Sequence, residues 1–402
     1  PYLVRLPSGR SIAAFFYDGG ISKSVAFEGL LHNGEGFANR LLGGFDELRE
    51  GPQLLHIATD GETYGHHHRR GDMALAYALW HLQKNNLAKI TNYGQYLELC
   101  PPTKEAQIIE HTAWSCEHGV GRWFRDCGCN SGMKGDWQQA WRGPLRHAFD
   151  GLRDSVAEPF ENLMKKYTSD PWAMRNDFID VIDDRSLATT EKFLKKWCGE
   201  KVLNEQQTTE VLKALEAQRN LLLMYTSCAW FFDEVSGVET VQNLQYAYRA
   251  LELCEAIFDM DLLTAFSAEL EQAPSNIPHL GTGLEAFRRY VVPSRVGSLQ
   301  KGIHFAIASV FEQFGQTNEV YNSKITLLDF KTYTSGKARM VTGHARIRSR
   351  TTLERQQIIF GVIHMGDHNV SAGVKKFTST EDYENLRDQA ATAFLRADFH
   401  ET

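Results

Sequence analysis

Between His56 and Tyr77 the chain reads HIATDGETYGHHHRRGDMALAY. This one strand-to-helix turn carries Asp60, Glu62, Tyr64, three histidines and two arginines. Asp60 ends an apolar run and precedes Gly61, so its carboxyl group can face an open cleft. A carboxyl group at the rim of an α/β core suits a general acid, because partial burial raises its pKa. The bland alternative is a turn-forming Asp-Gly followed by a helix-capping glutamate. Three adjacent histidines (His66, His67, His68) cannot all converge on one ion from a regular element. They read better as groups that orient a ligand or cap the turn.

A second cluster lies downstream. Cys116, His118, Cys127 and Cys129 offer four N/S ligands within 14 residues. Their spacing, C-x-H-x8-C-x-C, is not the usual C-x2-C knuckle, so no metal is assigned and the four stand as weak zinc candidates. Trp114, Trp123, Trp137 and Trp141 crowd the same Gly-rich stretch, and Trp230-Phe231-Phe232-Asp233-Glu234 follows later. Core packing accounts for some of these rings. Tryptophan beside carboxylates also suits sugar binding, with indole stacking on C–H faces and charged groups binding hydroxyls. No G-x-S-x-G, no P-loop and no G-x-G-x-x-G after a strand occurs, and no cofactor is expected.

The elements that must position these residues follow from periodicity. Residues 11–20 and 53–62 read as buried strands, 88–92 as a third strand, and 22–45 and 72–87 as amphipathic helices, with Asp72 as an N-cap. A short helix over 93–100 stops at Pro101-Pro102. This alternation implies parallel strands with Asp18 and Asp60 at their carboxyl ends, where reactive loops sit. Residues 145–290 read as an antiparallel helical bundle. Residues 318–375 switch to period two with Ser-Gly, Thr-Gly and Gly-Asp turns, an antiparallel sheet, and 382–399 is helical again. The expected domains are 1–115 (partial barrel), 116–144 (Cys/Trp/Gly-rich loop), 145–292 (bundle) and 293–402 (β-rich with a terminal helix).

Length and composition set outer limits. The 402 residues suffice for two or three domains, and the net charge of −7 with no Lys/Arg run argues against a nucleic-acid partner. No apolar run approaches the ~20 residues that span a bilayer. Seven cysteines at irregular spacing do not look like a disulfide framework, so a reducing, cytoplasmic setting is expected, with Cys198, Cys228 and Cys254 as small core residues. The chain starts at Pro1 rather than Met, and the expectation is a processed chain or a piece of a longer one.

The stretch ATDGETYG (58–65) resembles the fourth sequence region of glycoside hydrolase family 57. TNYGQYLELCPP, HTAWSCEHGVGRW and MYTSCAWFFDE are similar to later segments of that family. ATDGETYGHHHRRGDMALAYAL together with the WSCEHGVGRW loop resembles a bacterial α-amylase/α-mannosidase-like subgroup over nearly the whole chain. The resemblance implies the carboxyl-terminal portion of such an enzyme: an α/β fold formed by the later part of a (β/α)7 barrel, then a helical bundle and an antiparallel β-rich region. It implies retaining hydrolysis or 4-α-glucanotransfer on α-glucans, with Asp60 as acid/base. Glu62, Tyr64, His66, His67, Trp114, His118, Trp123, Trp230 and Asp233 would bind an oligo- or polysaccharide. The family's early His-x-His-Gln-Pro-like motif and nucleophilic glutamate are not found here. The nucleophile is therefore expected upstream of Pro1, on the missing amino-terminal part of the barrel. Glu62 and Glu117 are weaker stand-ins. Two further readings compete: a catalytically inactive carbohydrate- or partner-binding protein of the same fold, and a metal protein organised by the Cys/His loop.

Overall fold

The chain divides into two compact units, Pro1–His111 and Thr112–Thr402. The structure is a computed structural model that describes all residues except Met133, Glu200, Lys201 and 397–402.

In the first unit, strands β1 (Tyr2–Arg5) and β2 (Ser11–Ala14) pair antiparallel. Helices α1 (Gly19–Phe27), α2 (Gly34–Leu42), α3 (Gly71–Lys84) and α4 (Tyr93–Leu99) follow. A small core forms where α2 meets α3, around Phe37, Ala38, Ala74, Ala78 and Leu82. The single helix expected over 22–45 is broken. Gly29 turns the chain through a left-handed φ of 71°, a 3-10 turn spans Leu30–His32, and Asn33 caps α2 by accepting from the Gly36 N–H at 3.0 Å. Asp72 is not the cap of α3. Arg70 holds that place, and Asp72 lies in the first turn, where its charge faces the positive end of the helix.

The expected parallel strands do not form ladders. Of residues 11–20 only Ser11–Ala14 pairs, and 53–60 and 88–92 run without strand partners. Among the described residues no barrel closes, and the parallel contact is a single bridge between Leu3 and Glu105. A ladder needs a neighbouring strand for its N–H and C=O groups, whatever the apolar pattern of its own sequence. Ile12 and Phe16 stay 57% and 58% exposed on these segments.

The second unit opens with the Cys/Trp/Gly-rich loop and continues as a bundle: α5 (Arg142–Met164), α6 (Pro171–Asp177), α7 (Ile179–Asp183), α8 (Leu187–Cys198), α9 (Glu205–Leu223), α10 (Val238–Glu255), α11 (Leu262–Glu271) and α12 (Gly283–Ala286). Polar caps set its starts: Asp170 for α6, Ser186 for α8, and a reciprocal Asn204–Gln207 box for α9. Apolar residues at helical spacing bury one face of each long helix. Phe149 of α5 stacks on Phe266 of α11 (centroids 6.1 Å apart) and meets the Trp230 ring edge-on at 5.6 Å.

After α13 (Ser298–Phe311) come β3 (Thr317–Val320), β4 (Ser323–Ser335), β5 (Ala338–Ser349), β6 (Arg355–His364) and β7 (Val370–Lys376). They form a five-stranded antiparallel sheet in sequence order, as the period-two pattern predicts. Phe305, Ala306 and Val310 of α13 pack with Val341, Ala345, Ile358 and Phe360. On strand positions of the opposite parity, Met340 packs with Phe394 of α14 (Thr380–Leu395). The helix expected over 382–399 thus starts slightly earlier, and Ala397, Asp398 and Phe399 lie outside the described residues.

Loop, bundle and sheet, expected as separate domains, share one compact unit. Ion pairs Lys213–Glu354 and Arg355–Glu205 join bundle to sheet, and buried polar contacts join loop to bundle. Among the described residues no helix is long and apolar enough to cross a membrane.

Candidate functional site

In the first unit, Asp60 ends the extended segment and starts a 3-10 turn, Gly61–Tyr64. Thr63 is the buried anchor of this turn at 3% exposure, and Glu62, His66 and His67 point to solvent around it. Backbone bonds fix the path: the Thr63 N–H donates to the Asp60 carbonyl at 3.1 Å, and the His66 and His67 N–H groups to the Glu62 carbonyl at 3.0 and 2.9 Å. Gly71 packs against the Thr63 carbonyl, where a Cβ would lie 3.2 Å away, so the turn sits tight on the start of α3. Tyr64 is half-buried and its hydroxyl accepts from Thr59 Oγ1 at 3.0 Å. His66 and His67 lie side by side (centroids 5.3 Å), and His68 instead bonds the Ala26 carbonyl through Nε2 at 3.0 Å.

The two strand-end aspartates differ in what they do. Asp18 caps α1: its Oδ1 accepts from the Ile21 N–H at 2.7 Å. Asp60 occupies the equivalent position before its turn, yet its side chain makes no capping bond. Asp60-Gly61 does open a turn, as the bland reading has it, with the Asp60 carbonyl rather than its carboxylate accepting the closing bond. The partial burial expected for it is also absent, since it is exposed. Sequence reasoning missed the neighbouring cluster of Phe15, His56 and Tyr93, in which the Tyr93 hydroxyl and His56 Nδ1 are 2.9 Å apart. Scattered single aromatics give no local signal for such a cluster.

In the second unit, the remaining expected residues take varied places. Trp114 is 83% exposed, with its ring 6.1 Å from that of Phe231. Trp123 is half-buried and donates Nε1–H to the Ser227 carbonyl at 3.1 Å. Trp230 is 1% exposed and donates to the Arg142 carbonyl. Asp233 is 5% exposed and holds the Ser131 N–H (2.9 Å) and hydroxyl. Trp230 and Asp233, expected to bind substrate, are thus occupied in holding loop and bundle together. Glu234 beside them accepts from the Ser275 hydroxyl at 2.6 Å and the Asn276 N–H at 2.8 Å. Cys228, expected in the core, is exposed, whereas Cys254 is buried and burial pushes its thiol up to about 12.

His118 comes together with Cys116, Cys127 and Cys129: the four ligand atoms all lie within 4.8 Å of one another. Burial raises the Cys116 thiol, but the backbone N–H groups of Arg122 and His118 and the thiols of Cys127 and Cys129 outweigh this and bring it down to about 7. Burial raises the Cys127 thiol. Two buried arginines, which sequence reasoning also missed, flank the loop. Arg122 donates to the Phe231 carbonyl at 2.6 Å, and Arg142 to the Cys129 carbonyl at 2.6 Å. Two cavities, of about 880 and 910 Å³, lie in the second unit along the sheet, and none of the expected site residues lines either.

Residues 137–402 match the family described as Domain of unknown function (DUF3536), and the chain belongs to it. No curated protein and no solved structure matches the chain.

Proposed function

We propose that this member of the DUF3536 family is the carboxyl-terminal part of a carbohydrate-active protein of the glycoside hydrolase family 57 type, a retaining hydrolase or 4-α-glucanotransferase acting on α-glucans. The observation that carries this reading is the contrast between Asp18, whose carboxylate caps a helix, and Asp60, whose carboxylate makes no capping bond at the same kind of strand end. A carboxylate held at a fixed backbone position and left open to solvent is available for proton transfer. In the proposed double displacement, Asp60 protonates the leaving glycosidic oxygen and later takes a proton from water or an acceptor hydroxyl. Glu62, Tyr64, His66 and His67 surround it on the same turn and supply donors and acceptors for sugar hydroxyls.

The nucleophilic glutamate is proposed to come from chain preceding Pro1. The segments at 53–60 and 88–92, which form no strand ladder, and the exposed Ile12 and Phe16 suit the docking of further barrel strands. Such strands would also provide the enclosure that raises the pKa of a general acid. In the second unit, exposed Trp114 is the ring available for stacking on sugar.

The test uses the protein with its full upstream reading frame, incubated with maltooligosaccharides. Products from the wild type and their loss in Asp60→Asn support the proposal. Oligosaccharide affinity without products, in the presence of the upstream segment, identifies the catalytically inactive binder instead.

A further inference from the structure

We infer that Cys116, His118, Cys127 and Cys129 form a mononuclear zinc site that fixes the loop preceding the helical bundle. The inference does not depend on the glycosidase proposal. Tetrahedral zinc, with Zn–S of about 2.3 Å and Zn–N of about 2.0–2.1 Å, sets S···S edges of about 3.8 Å and S···N edges of about 3.5–3.6 Å. The structure gives 3.8 Å for Cys116–Cys127 Sγ, 3.9 Å for Cys116–Cys129 Sγ, and 3.5 Å from Cys129 Sγ to His118 Nδ1. None of the three cysteines is in a disulfide. One pair of thiols in contact would be ordinary. Three sulfurs and an imidazole nitrogen all within 4.8 Å of one another enclose a volume suited to one ion.

The local backbone is shaped for this convergence. Gly128, at φ 79°, turns the chain between Cys127 and Cys129 so that both sulfurs face one point. Gly121 is buried where the two halves of the loop meet: a Cβ there would lie 3.2 Å from Cys127 Cβ and 3.3 Å from His118 Cβ. These two glycines let the irregular C-x-H-x8-C-x-C spacing close on itself, which the spacing alone did not reveal.

The surrounding charges call for a negative centre. Arg122 is 4% exposed and Arg142 fully buried; among the described residues neither has a carboxylate ion-pair partner within salt-bridge distance, and the Nε of each is unbonded. Buried guanidiniums with no anion in direct contact favour a negative centre nearby. Zinc bound by three thiolates and a neutral imidazole carries one net negative charge. It would add to the Asp233 and Asp126 carboxylates that already act on Arg142.

The experiment is metal analysis of the untagged full chain after exhaustive dialysis. One zinc per chain is expected, falling below about a fifth in Cys127→Ser and Cys129→Ser and unchanged in Cys228→Ser, whose cysteine lies outside the cluster. Cobalt substituted for zinc should show thiolate charge-transfer bands and the strong d–d bands of a tetrahedral site. If the serine variants do not fold, zinc content and cobalt spectrum of the wild type still decide. Protein without zinc, iron in its place, or zinc retained at full stoichiometry in the Cys127→Ser/Cys129→Ser double variant would overturn the inference. Loss of zinc with an active Asp60 site, or the reverse, separates this site from the glycosidase proposal.

Discussion

Replacing Gly343 by alanine should locally destabilise the carboxyl-terminal sheet. Gly343 of β5 stands directly opposite Phe360 of β6, and the phenyl ring lies across the space a side chain would fill. An added Cβ would sit 2.3 Å from Cζ and 2.7 and 2.8 Å from the two Cε atoms. Ordinary carbon contacts are about 3.5–4.0 Å, so the ring must retreat by more than 1 Å. Phe360 is 1% exposed and packed beside the Phe305 and Phe330 rings at 6.2 and 6.4 Å, which restricts that retreat. Overpacking of this kind costs about 1–3 kcal/mol, a factor of roughly 5–150 in the local opening equilibrium. Hydrogen–deuterium exchange of peptides covering 338–364 reads it directly. Tryptophan fluorescence does not, because all eight tryptophans lie outside the sheet. Phe360→Leu in the same chain should relieve the clash, with a coupling of about 1–2 kcal/mol between the two changes. Unchanged protection of β5 and β6 in Gly343→Ala, or strictly additive effects in the double variant, would refute the packing described.

Asp150 holds together α5 and the Tyr225 turn, accepting from the Tyr225 hydroxyl at 2.6 Å, Arg146 Nε at 2.9 Å and Arg153 at 2.9 Å. Burial pushes its carboxyl up, but the Tyr225 bond and the Arg146 and Arg153 charges outweigh this and hold it below the ordinary value. Its contribution is therefore present above the unfolded pKa near ~4 and fades as pH falls through the lower folded value. Asp150→Asn should lose about 1–2 kcal/mol in urea unfolding at pH 7, with the difference from wild type shrinking towards pH 3; a pH-independent difference would count against the charge network. Asp18→Ala should speed exchange of the α1 amides, costing about 1 kcal/mol for the lost cap, while Asp60→Ala should leave first-unit stability within about 0.5 kcal/mol. Equal effects at the two positions would remove the distinction drawn between them.

The sheet was legible because burial alternates along β3 and the start of β4, so period two appears in the sequence, and Gly336 and Gly366 mark the turns. The bundle was legible from 3.6-residue spacing and from caps such as Ser186 and Asn204. The first unit was not. Runs such as 12–16 and 54–58 are mostly apolar, and whether they pair depends on neighbours that their own residues do not encode. Within the site, the Asp-Gly signal marks the turn that forms at Asp60, whereas the burial of Trp230 and Asp233 was not legible. A buried aromatic-acidic segment and an exposed one look alike in sequence until burial is known. The convergence of the Cys/His cluster was not legible either. Its convergence depends on Gly121 and Gly128, whose conformations no ligand spacing records.

The central claim is that Asp60 moves the proton at a glycosidic oxygen. Steady-state kinetics of the protein with its complete upstream sequence on maltoheptaose, wild type against Asp60→Asn, tests it most directly. The account predicts that kcat falls by about 10²–10⁴-fold in the variant, with oligosaccharide affinity preserved and activity partly restored on substrates whose leaving group needs no protonation. Turnover by Asp60→Asn equal to that of the wild type would contradict it.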